Sequence, residues 1–397
     1  MTAFRTLSDM KPKGKRVLVR VDLNVPVKDG VVSEETRIAR SAETIRELMN
    51  KGARVIVASH FGRPKGGPDT ANSLKQIIPT LEKHLGRRVV FASDCVGPQA
   101  EKFSAALRDG EVMLLENTRF HPEEEKNDPK FAAALAKLAD LYVNDAFSAA
   151  HRAHASTEGV ARLLPSYAGR AMEAELKALE SVLGAPKRPV IAIVGGAKVS
   201  TKIAVLEHLV EKVDTLVIGG GMANTFIAAQ GLNVGKSLQE ADQHATALKI
   251  LSVAKDKGCR VLLPVDGIAA KEFKANAQSR TVAMSAVAAD EMVLDIGPRS
   301  FGEIKLALGS AKTVVWNGPV GAFELPPFGE ASFAIAREIA ELTKAGRLVS
   351  VAGGGDTLAA LDAAGVDGDL TYVSTAGGAF LEWLEGKKLP GVEALKR

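Results

Sequence analysis

The pattern that decides the fold is clearest in residues 190–202, which read VIAIVGGAKVSTK. Five apolar, mostly β-branched residues are followed by two glycines and then by a segment of helical spacing. A short apolar run that ends in glycine and continues as an amphipathic stretch is typical of a strand that turns into a helix. We therefore predict a strand over residues 190–194 and a helix over residues 198–213.

The same unit recurs on both sides of this stretch. In the first half, the pattern predicts strands at residues 16–21, 54–59, 89–91, 111–115 and 141–143, and helices at 37–51 and 129–139. In the second half, it predicts strands at 215–218, 260–263, 313–316 and 348–352, and a helix at 241–257. Repeated strand–helix units build parallel sheets. The predicted fold class is α/β, with two doubly wound parallel-sheet (Rossmann-like) domains joined by a hinge helix.

A break in the pattern lies near residues 165–190. A loop with Pro165 and Gly169 leads into the helix-like sequence AMEAELKALESVLG, and a proline-rich stop follows at residues 185–189. We predict that residues 1–170 form one domain and that residues 171–379, including this linker helix, form the other.

The composition narrows the class of protein. The 397 residues are 46% hydrophobic and 25% charged, as in ordinary folded proteins. The charge excess of 51 − 47 = +4 gives little support to nucleic-acid binding. Cys95 and Cys259 lack CxxC spacing and a neighbouring His cluster, so we predict neither a disulfide nor a zinc site and interpret both as buried small hydrophobes. The polar first residues, and the lack of 18 consecutive apolar residues, predict a cytoplasmic protein with no membrane span.

Cationic and hydrogen-bonding side chains follow the predicted strands of the first half, where open α/β sheets bind ligands. They are Arg20, Asp22 and Asn24 in RVDLNVP, His60 and Arg63 in SHFGRP, Arg119 and His121 in ENTRFHP, His151, Arg152 and His154 in NDAFSAAHRAH, and Arg37 in EETRIAR. One such arginine is usually a solvated surface charge. Five such positions favour a pocket for a small, multiply anionic ligand, because the planar fork of arginine pairs with carboxylate and phosphate.

Glycine-rich turns follow the predicted strands of the second half. These turns are GGAKVSTK at 195–202, GGGMANT at 219–225, WNGPVGAFE at 316–324 and GGGDT at 353–357. A single Gly pair is usually a tight turn. Four of them favour phosphate binding, because glycine lets a phosphate approach the backbone amides at a helix start. The chain lacks GxxxxGK[ST], a GxGxxG fingerprint, HRD and DFG, which argues against P-loop enzymes, dinucleotide oxidoreductases and protein kinases.

Two alternatives come from other classes of protein. A non-catalytic anion-sensing or RNA-binding module would use the basic loops, but the 5% aromatic content argues against stacking on bases. Strong salt-dependent RNA binding would favour that alternative. An oxidoreductase would bind a nicotinamide cofactor, for which the sequence has no fingerprint.

A cationic pocket in one domain and a nucleotide site in the other favour phosphoryl transfer between two bound ligands, with Asp356 available for Mg²⁺. A carboxylate acceptor needs no general base, because a carboxyl group with a pKa of about 3.5 is already ionised at neutral pH. Lys198 and Lys202 stand four residues apart on one predicted helix face, and both suit stabilisation of the transferring group.

The series of motifs resembles the phosphoglycerate kinase family over essentially the whole chain. The matching motifs, in the family's order, are RVDLNVP, SHFGRP, LLENTRF, VNDAF with HRAH, GGAKVSTK, GGGMANTF, LPVD, DIGP, WNGPVGAFE, GGGDT and EGKKLPGV. The resemblance implies reversible phosphoryl transfer between 1,3-bisphosphoglycerate with ADP and 3-phosphoglycerate with ATP, using Mg²⁺, in glycolysis and gluconeogenesis. It also implies a cytoplasmic monomer that acts on small molecules and has no nucleic-acid or membrane partner.

The resemblance also implies two sets of site residues. Its 3-phosphoglycerate site falls on Asp22, Leu23, Asn24, Arg37, His60, Phe61, Gly62, Arg63, Arg119 and Arg152. Its nucleotide site falls on Lys198, Lys202, Gly220, Asn317, Pro319, Glu324, Gly353, Gly354, Gly355, Asp356 and Thr357. The implied catalytic residues are Arg37, which orients the acceptor carboxylate, Lys198, and Lys202, which follows the transferring phosphoryl group. Asp356 is implied to hold Mg²⁺ and Glu324 to bind the ribose, while His151 and His154 are implied at the substrate side or in domain coupling.

Two segments depart from the family's pattern. Ser148-Ala149-Ala150 stand where the family has glycines, and Ser374-Thr375-Ala376-Gly377-Gly378 stand where it has STGGG. Neither change removes a charged contact. The family further implies that residues 380–397 return to the first domain. It also implies in-line transfer after domain closure about hinges at residues 165–190 and 374–380.

Overall fold

The computed structural model describes residues 4–396, which divide into two compact units. Lys177–Lys387 form one unit, and the described residues before and after that segment form the other. The boundaries predicted from the sequence, at residues 170 and 379, lie a few residues before these divisions.

The helices and strands follow one another as the sequence pattern predicts, with some additions. The first unit begins with β1 (Arg16–Arg20), β2 (Val27–Lys28), β3 (Val31–Val32), α1 (Thr36–Asn50), β4 (Arg54–Ala58), α2 (Ile78–Leu85), β5 (Val90–Ala92), α3 (Pro98–Ala106), β6 (Val112–Leu115), α4 (Pro129–Ala136), β7 (Leu141–Asn144) and β8 (Ser166–Ala168). The next helix, α5 (Arg170–Leu179), starts in the first unit, and its last three residues belong to the second. The second unit contains β9 (Val190–Val194), α6 (Ile203–Leu209), β10 (Thr215–Ile218), α7 (Gly220–Ala229), α8 (His244–Asp256), β11 (Arg260–Leu262), β12 (Asp266–Ala270), β13 (Ser279–Ala283), β14 (Met292–Ile296), α9 (Pro298–Ser310), β15 (Thr313–Asn317), α10 (Glu330–Lys344), β16 (Val349–Gly353), α11 (Gly355–Ala363), β17 (Tyr372–Ser374) and α12 (Gly378–Leu384). The chain ends with α13 (Pro390–Glu393), which belongs to the first unit.

A six-stranded parallel sheet forms the centre of the first unit, with the strand order β5-β6-β4-β1-β7-β8. Four of the five residues of β1 are buried, as expected for a strand covered on both faces. On α1, apolar residues recur every three or four positions, and Ile38, Ile45 and Leu48 are fully buried in the core. Each such side chain contributes roughly 1.5–3 kcal/mol of burial free energy.

A second six-stranded parallel sheet forms the centre of the other unit, with the order β11-β10-β9-β15-β16-β17. All five residues of β9 are buried. The chain order reverses between β9 and β15 here, and between β1 and β7 in the first unit. Ligands of open α/β sheets bind in the crevice at such a reversal. The predicted fold class, α/β with two doubly wound parallel sheets, is confirmed.

The structure corrects two sequence predictions in the second unit. The helix predicted over residues 198–213 is a 3₁₀ turn at Val199–Thr201 followed by the shorter α6. Lys198 precedes this turn and Lys202 follows it, so the two lysines do not share one helix face. A separate antiparallel sheet, with the order β13-β12-β14, was not predicted. Its strand β13 reads SRTVA and is mostly exposed, so it has no apolar run of the kind that marks the parallel strands.

A buried carboxyl group anchors the start of α5. Asp145 directly follows β7, and its Oδ1 accepts a hydrogen bond from the amide of Met172 in the first turn of α5 (3.1 Å). Burial raises the pKa of Asp145 to about 7, although the Thr44 hydroxyl and the amides of Ala171 and Met172 favour the charged form. The folded protein therefore holds a carboxyl proton at pH values where an exposed aspartate has lost it.

We expect this proton to give stability a measurable pH dependence. Between the ordinary pKa of 3.8 and about 7, the folded state is protonated at Asp145 and the unfolded state is not. Stability should therefore fall as pH rises through this interval, by about 1.4 kcal/mol per pH unit. Asp145→Asn keeps the Oδ1 acceptor and removes the titration. Urea unfolding at about pH 5 and about pH 6.5 should show a steeper decline for the parent chain than for the variant. Equal declines would show that Asp145 does not hold the proton.

Candidate active site

The loops that follow β1, β4, β6 and β7 bring cationic side chains together at the carboxyl edge of the first sheet. Arg20 is the last residue of β1, His60 follows β4, and Arg119 lies in the 3₁₀ turn after β6. Because parallel strands end at the same edge, residues far apart in the sequence become neighbours there. This edge includes the reversal between β1 and β7, where a ligand crevice is expected.

Arg20 fixes the protonation state of His60. The guanidinium is fully buried, and its NH2 group lies 3.0 Å from Nδ1 of His60. Arginine has only N–H donors, so Nδ1 must accept this bond and the ring proton sits on Nε2. Burial, reinforced by the charges of Arg20 and Arg119, holds the pKa of His60 well below its ordinary value. His60 is therefore a neutral donor through Nε2.

A buried network holds Arg20 from behind. Its Nε donates to Oγ of Ser156 (2.9 Å), and that hydroxyl in turn donates to Oε1 of Glu124 (2.5 Å). Glu124 is fully buried and also accepts from the amide of Ser156 (2.9 Å). Ser156 and Glu124 thereby fix the position of Arg20.

Asp22 lies at the centre of the hydrogen bonds on this edge. Its Oδ2 pairs with Arg37 (3.2 Å) and accepts from Oγ of Ser148 (2.5 Å). Its Oδ1 accepts from the amide of Asn24 (3.0 Å), whose own Oδ1 accepts from the amide of Gly62 (2.9 Å). No motif indicated that the hydroxyl of Ser148 reaches Asp22.

The remaining predicted residues of this set lie on the same loops. Arg119 donates to the carbonyl of Gly62 (3.0 Å), and the amide of Phe61 donates to Oδ1 of Asn117 (3.1 Å). Leu23 is buried, and its amide donates to Oγ of Ser59 (3.0 Å). Arg63 and Arg152 are exposed.

The positive charges on this edge are only partly offset. Burial lowers the pKa of Arg119; Glu125 opposes this shift, whereas Arg20 and Arg152 add to it. Burial and the same arginines lower the pKa of His154 to about 4. Both effects mean that adding positive charge here is unfavourable and that an anionic ligand would relieve the repulsion. Arg20, Arg37 and Arg119 all lower the pKa of His60. Arg20, Arg119 and Arg152 all lower that of His154.

In the second unit, Lys202 reaches the point where the strand order reverses. Its Nζ donates to the carbonyl of Gly195 after β9 (2.6 Å) and to both the carbonyl (3.1 Å) and Oδ1 (2.7 Å) of Asn317 at the end of β15. Burial lowers the pKa of Lys202 to about 8, and nearby Asp356 opposes the shift. Neutral oxygens hold this ammonium, so its charge remains available to a ligand.

The strand-end loops of the second unit are joined by side-chain hydrogen bonds and by a close backbone approach. Nδ2 of Asn317 donates to the carbonyl of Gly353 (2.8 Å), and the amide of Gly318 donates to Oγ1 of Thr357 (2.7 Å). Gly220 has a φ of +69°, and a Cβ there would stand 2.6 Å from the carbonyl oxygen of Gly196. Glycine is therefore required at this turn both for its conformation and for the close approach of two backbones.

A cavity of about 660 Å³ opens beside these loops. Four of the predicted nucleotide-site residues line it, namely Gly220, Pro319, Glu324 and Asp356. The volume lies within the range of small-molecule sites, roughly 300–1,000 Å³. The sequence analysis missed further lining residues, including Lys236, Phe273 and Asp295. Phe273 and Asp295 come from the region of the unpredicted antiparallel sheet. Asp295 begins the motif DIGP, which carried the resemblance but was not interpreted as part of a site, and no motif marked Phe273.

The other predicted nucleotide residues do not line this cavity. Lys198 is exposed ahead of the 3₁₀ turn at Val199–Thr201. Gly354 and Gly355 form the turn into α11, and Asp356 lies in its first turn. Lys202, Asn317, Gly353 and Thr357 belong to the hydrogen-bonded group described above.

Both cysteines are buried and reduced, as the sequence predicts. Burial raises the pKa of Cys259 to about 11 and raises that of Cys95 well above its ordinary value. The prediction of no zinc site rested on spacing in the sequence, which does not reveal the side chains that surround Cys95. Asp94 and His121 lie beside it, and His121 is 26 positions away in the sequence, which hid the grouping from a search by spacing.

The fold and the two groups of residues define a class of protein, a two-domain α/β phosphotransferase with a cationic edge on one sheet and a nucleotide-sized cavity on the other. A sequence model of the family described as phosphoglycerate kinase matches residues 7–387. The chain belongs to the phosphoglycerate kinase family.

Similar proteins cover essentially the whole chain. The phosphoglycerate kinase of Methylorubrum populi is 64% identical over 397 residues, which is 100% of this chain and 99% of that protein. The phosphoglycerate kinase of Allorhizobium ampelinum is 62% identical over 398 residues and 100% of each chain. Among solved structures, that of phosphoglycerate kinase from Coxiella burnetii has a TM-score of 0.93 at 41% identity, and it covers 99% of this chain and 98% of that one. The corresponding structure from Pyrococcus horikoshii has a TM-score of 0.80 at 31% identity, with 98% of each chain covered.

Family membership establishes the activity. The protein is a phosphotransferase of glycolysis that transfers a phosphoryl group reversibly between 1,3-bisphosphoglycerate with ADP and 3-phosphoglycerate with ATP. The activity of the family is therefore that of a kinase, neither that of an oxidoreductase nor that of a non-catalytic module. Within residues 4–396, no helix combines the length and apolarity needed to cross a bilayer.

Proposed function

We propose that the cationic edge of the first unit binds the phosphoglycerate substrates. The observation that carries this proposal is the partly uncompensated positive charge of Arg20, Arg37, Arg119 and Arg152, which a phosphate and a carboxylate would neutralise. The proposed contact residues are Asp22, Leu23, Asn24, Arg37, His60, Phe61, Gly62, Arg63, Arg119 and Arg152. His60 contributes a neutral Nε2 donor, and Arg37, paired with Asp22, orients the acceptor carboxylate.

The cavity of the second unit is proposed to bind ATP or ADP. The proposed contact residues are Lys198, Lys202, Gly220, Asn317, Pro319, Glu324, Gly353, Gly354, Gly355, Asp356 and Thr357. Glu324 lines the cavity and can accept from the two ribose hydroxyls. The amides at the start of α11 can donate to phosphate oxygens, and the helix dipole favours negative charge there. Lys202 is proposed to stabilise the transferring phosphoryl group, with Lys198 as a second cation.

The donor at Asp356 fits the Mg²⁺ ion that the family implies. Its carboxylate is exposed, lines the cavity and lies in the first turn of α11, next to the proposed phosphate position. Mg²⁺ in kinase sites is typically held by one or two carboxylates together with substrate phosphates and water. When bound, the ion supplies charge neutralisation on the phosphates.

We expect Asp356→Asn to raise the Mg²⁺ concentration needed for half-maximal activity by at least about tenfold. The asparagine keeps the shape of the side chain and removes the charge that attracts the cation. Mg²⁺ titrations of initial rate at saturating ATP and 3-phosphoglycerate measure the shift. Asp362→Asn, which changes an exposed residue of the same helix, is the matched control. An unchanged Mg²⁺ dependence in Asp356→Asn would assign the metal to other groups.

The chemistry proposed at these sites requires no general base. The acceptor carboxylate is ionised at neutral pH, and His60 and His154 have depressed pKa values that keep them uncharged. Catalysis then rests on positioning of the substrates and on neutralisation of charge.

In-line transfer after domain closure stays a prediction. Compaction of the protein in small-angle scattering, measured with both ligands present, would support it. We further propose that the enzyme is a cytoplasmic monomer without membrane partners, as the family implies. Its small net charge argues against a nucleic-acid partner.

The proposal is tested by mixing the full chain with MgATP and 3-phosphoglycerate and trapping any acyl phosphate with hydroxylamine. We expect hydroxamate only when Mg²⁺ and 3-phosphoglycerate are both present, and none with EDTA or with 2-phosphoglycerate. Arg37→Ala should reduce the yield, because the carboxylate loses its orienting cation. Equal product from 2-phosphoglycerate would contradict the proposed substrate site.

A further inference from the structure

A second group of metal-ligating side chains lies in the first unit, away from Asp356. Asp94 and Cys95 lie in the loop between β5 and α3, and His121 directly follows the 3₁₀ turn at Thr118–Phe120. A carboxylate oxygen, the thiol sulfur and an imidazole nitrogen of these three residues all lie within 4.8 Å of one another. No other group of this kind occurs among residues 4–396.

The three donors are held in place before any ion binds. Oδ1 of Asp94 accepts from the amide of Cys95 (2.6 Å) and lies 2.7 Å from Nε2 of His121. The ring of His121 packs against that of Phe131, with 5.1 Å between centroids. These contacts restrain the side chains of Asp94 and His121 in both loops. Binding of a metal ion would therefore order few additional side chains.

The cluster is closed at one end and open at the other. Cys95 is fully buried, whereas the side chains of His121 and Asp94 are 30% and 49% exposed. An ion would therefore meet the sulfur on its inner side and solvent on its outer side. A water molecule can complete the coordination from the solvent side, as in zinc sites with three protein ligands and one open position.

The chemistry of the donors selects the ion. Mg²⁺ and Ca²⁺ prefer oxygen ligands and leave thiolates unbound, whereas Zn²⁺ binds cysteine, histidine and aspartate together. In a tetrahedral site with bonds of about 2.0–2.3 Å, neighbouring donors stand about 3.3–3.6 Å apart. The cluster reaches that geometry if the Asp94–His121 contact opens slightly and the sulfur moves inward. We propose that Asp94, Cys95 and His121 bind one Zn²⁺ ion, with water as the fourth ligand.

Binding would convert the thiol to a thiolate, with its proton released to solvent. Without the ion, burial and the charges of Asp94 and Glu124 keep Cys95 protonated. The ion would join the loop after β5 to the loop after β6, which also carries Arg119. The proposed zinc site does not depend on the proposed substrate and nucleotide contacts.

The test uses Co²⁺ as a spectroscopic substitute for Zn²⁺ on the full chain after chelator treatment. We expect one equivalent of Co²⁺ to produce a thiolate-to-cobalt charge-transfer band and tetrahedral ligand-field bands, both abolished by one equivalent of Zn²⁺. Cys95→Ser should lose the charge-transfer band, and Cys259→Ser, which changes the other buried cysteine, should retain it. Absence of the band in the parent chain, or its persistence in Cys95→Ser, would overturn the proposal.

A second variant guards against misfolding of Cys95→Ser. His121 is partly exposed, so His121→Gln should fold normally, which circular dichroism checks. We expect this variant to keep Cys95 but to bind Zn²⁺ at least about tenfold more weakly in competition with a chromogenic chelator. Equal Zn²⁺ affinity of the parent chain and His121→Gln would also reject the site.

Discussion

Lys202→Ala should lower the turnover number by about 10²–10³-fold, equivalent to about 2.7–4 kcal/mol of transition-state stabilisation, with much less change in nucleotide affinity. The ammonium lies where the ends of β9 and β15 meet, and oxygens of Gly195 and Asn317 hold it there. A fixed cation stabilises the transferring phosphoryl group most where charge develops in the transition state.

The environment of Lys202 is the reason for the size of this effect. Within residues 4–396, the hydrogen-bond partners of its Nζ are neutral oxygens. Burial lowers its pKa to about 8. A buried charge that is not paired interacts more strongly with a phosphoryl group than a solvated one does. A positive side chain at the start of α6 also opposes the helix dipole, so a bound anion would relieve an unfavourable arrangement.

The measurement separates steady-state turnover from nucleotide binding by calorimetry. Lys249→Ala, which truncates an exposed lysine of α8, is the matched control and should leave both quantities unchanged. Thermal unfolding of both variants checks that the fold is intact. A loss confined to nucleotide affinity, with normal turnover at saturation, would show that Lys202 binds the nucleotide equally in the ground state and in the transition state.

The parallel sheets could be predicted because their strands are buried on both faces. β9 and β10 have the predicted bounds, since each is a run of apolar residues ended by glycine. The antiparallel sheet escaped prediction because β12 reads DGIAA and β13 reads SRTVA, and neither has a long apolar run or strict alternation. The predicted helix at residues 198–213 was too long because periodicity does not distinguish a 3₁₀ turn from the first turn of an α-helix.

The sequence could predict which residues belong to the candidate site, but not which of them contact one another. Motifs placed Asp22 and His60 just after strand ends, where the structure has them. The motif placed Lys202 on a helix face after β9, whereas the structure has it at the residue before α6. The bond from Ser148 to Asp22 joins residues 126 positions apart, and the Arg20–His60 bond joins residues 40 apart. Such pairings depend on which strands lie side by side in the sheet. The local sequence pattern predicts individual strands but not their order in the sheet.

Gly195→Ala should destabilise the second unit by about 3–5 kcal/mol, enough to lower its melting temperature by roughly 10 °C or more. An added Cβ would stand 1.8 Å from the carbonyl oxygen of Pro319 and 2.7 Å from that of Gly318. Both obstacles are backbone atoms in the loop after β15, so no side-chain rotation can relieve the clash. The ends of β9 and β15 would have to separate, which breaks the bond from the amide of Gly195 to the carbonyl of Asn317 (3.0 Å).

Gly302→Ala is the matched control for this substitution. Gly302 lies inside α9, and an added Cβ there would meet nothing within 4 Å. The control should stabilise the protein by about 0.5–1 kcal/mol, because alanine loses less backbone entropy in a helix. The two variants make the same chemical change, so opposite shifts in scanning calorimetry would isolate the close approach of two backbones as the cause. If Gly195→Ala melted with the parent chain, the strand ends would be able to separate freely. Lys202, which bonds to both ends, would then lack the rigid support on which its proposed catalytic role depends.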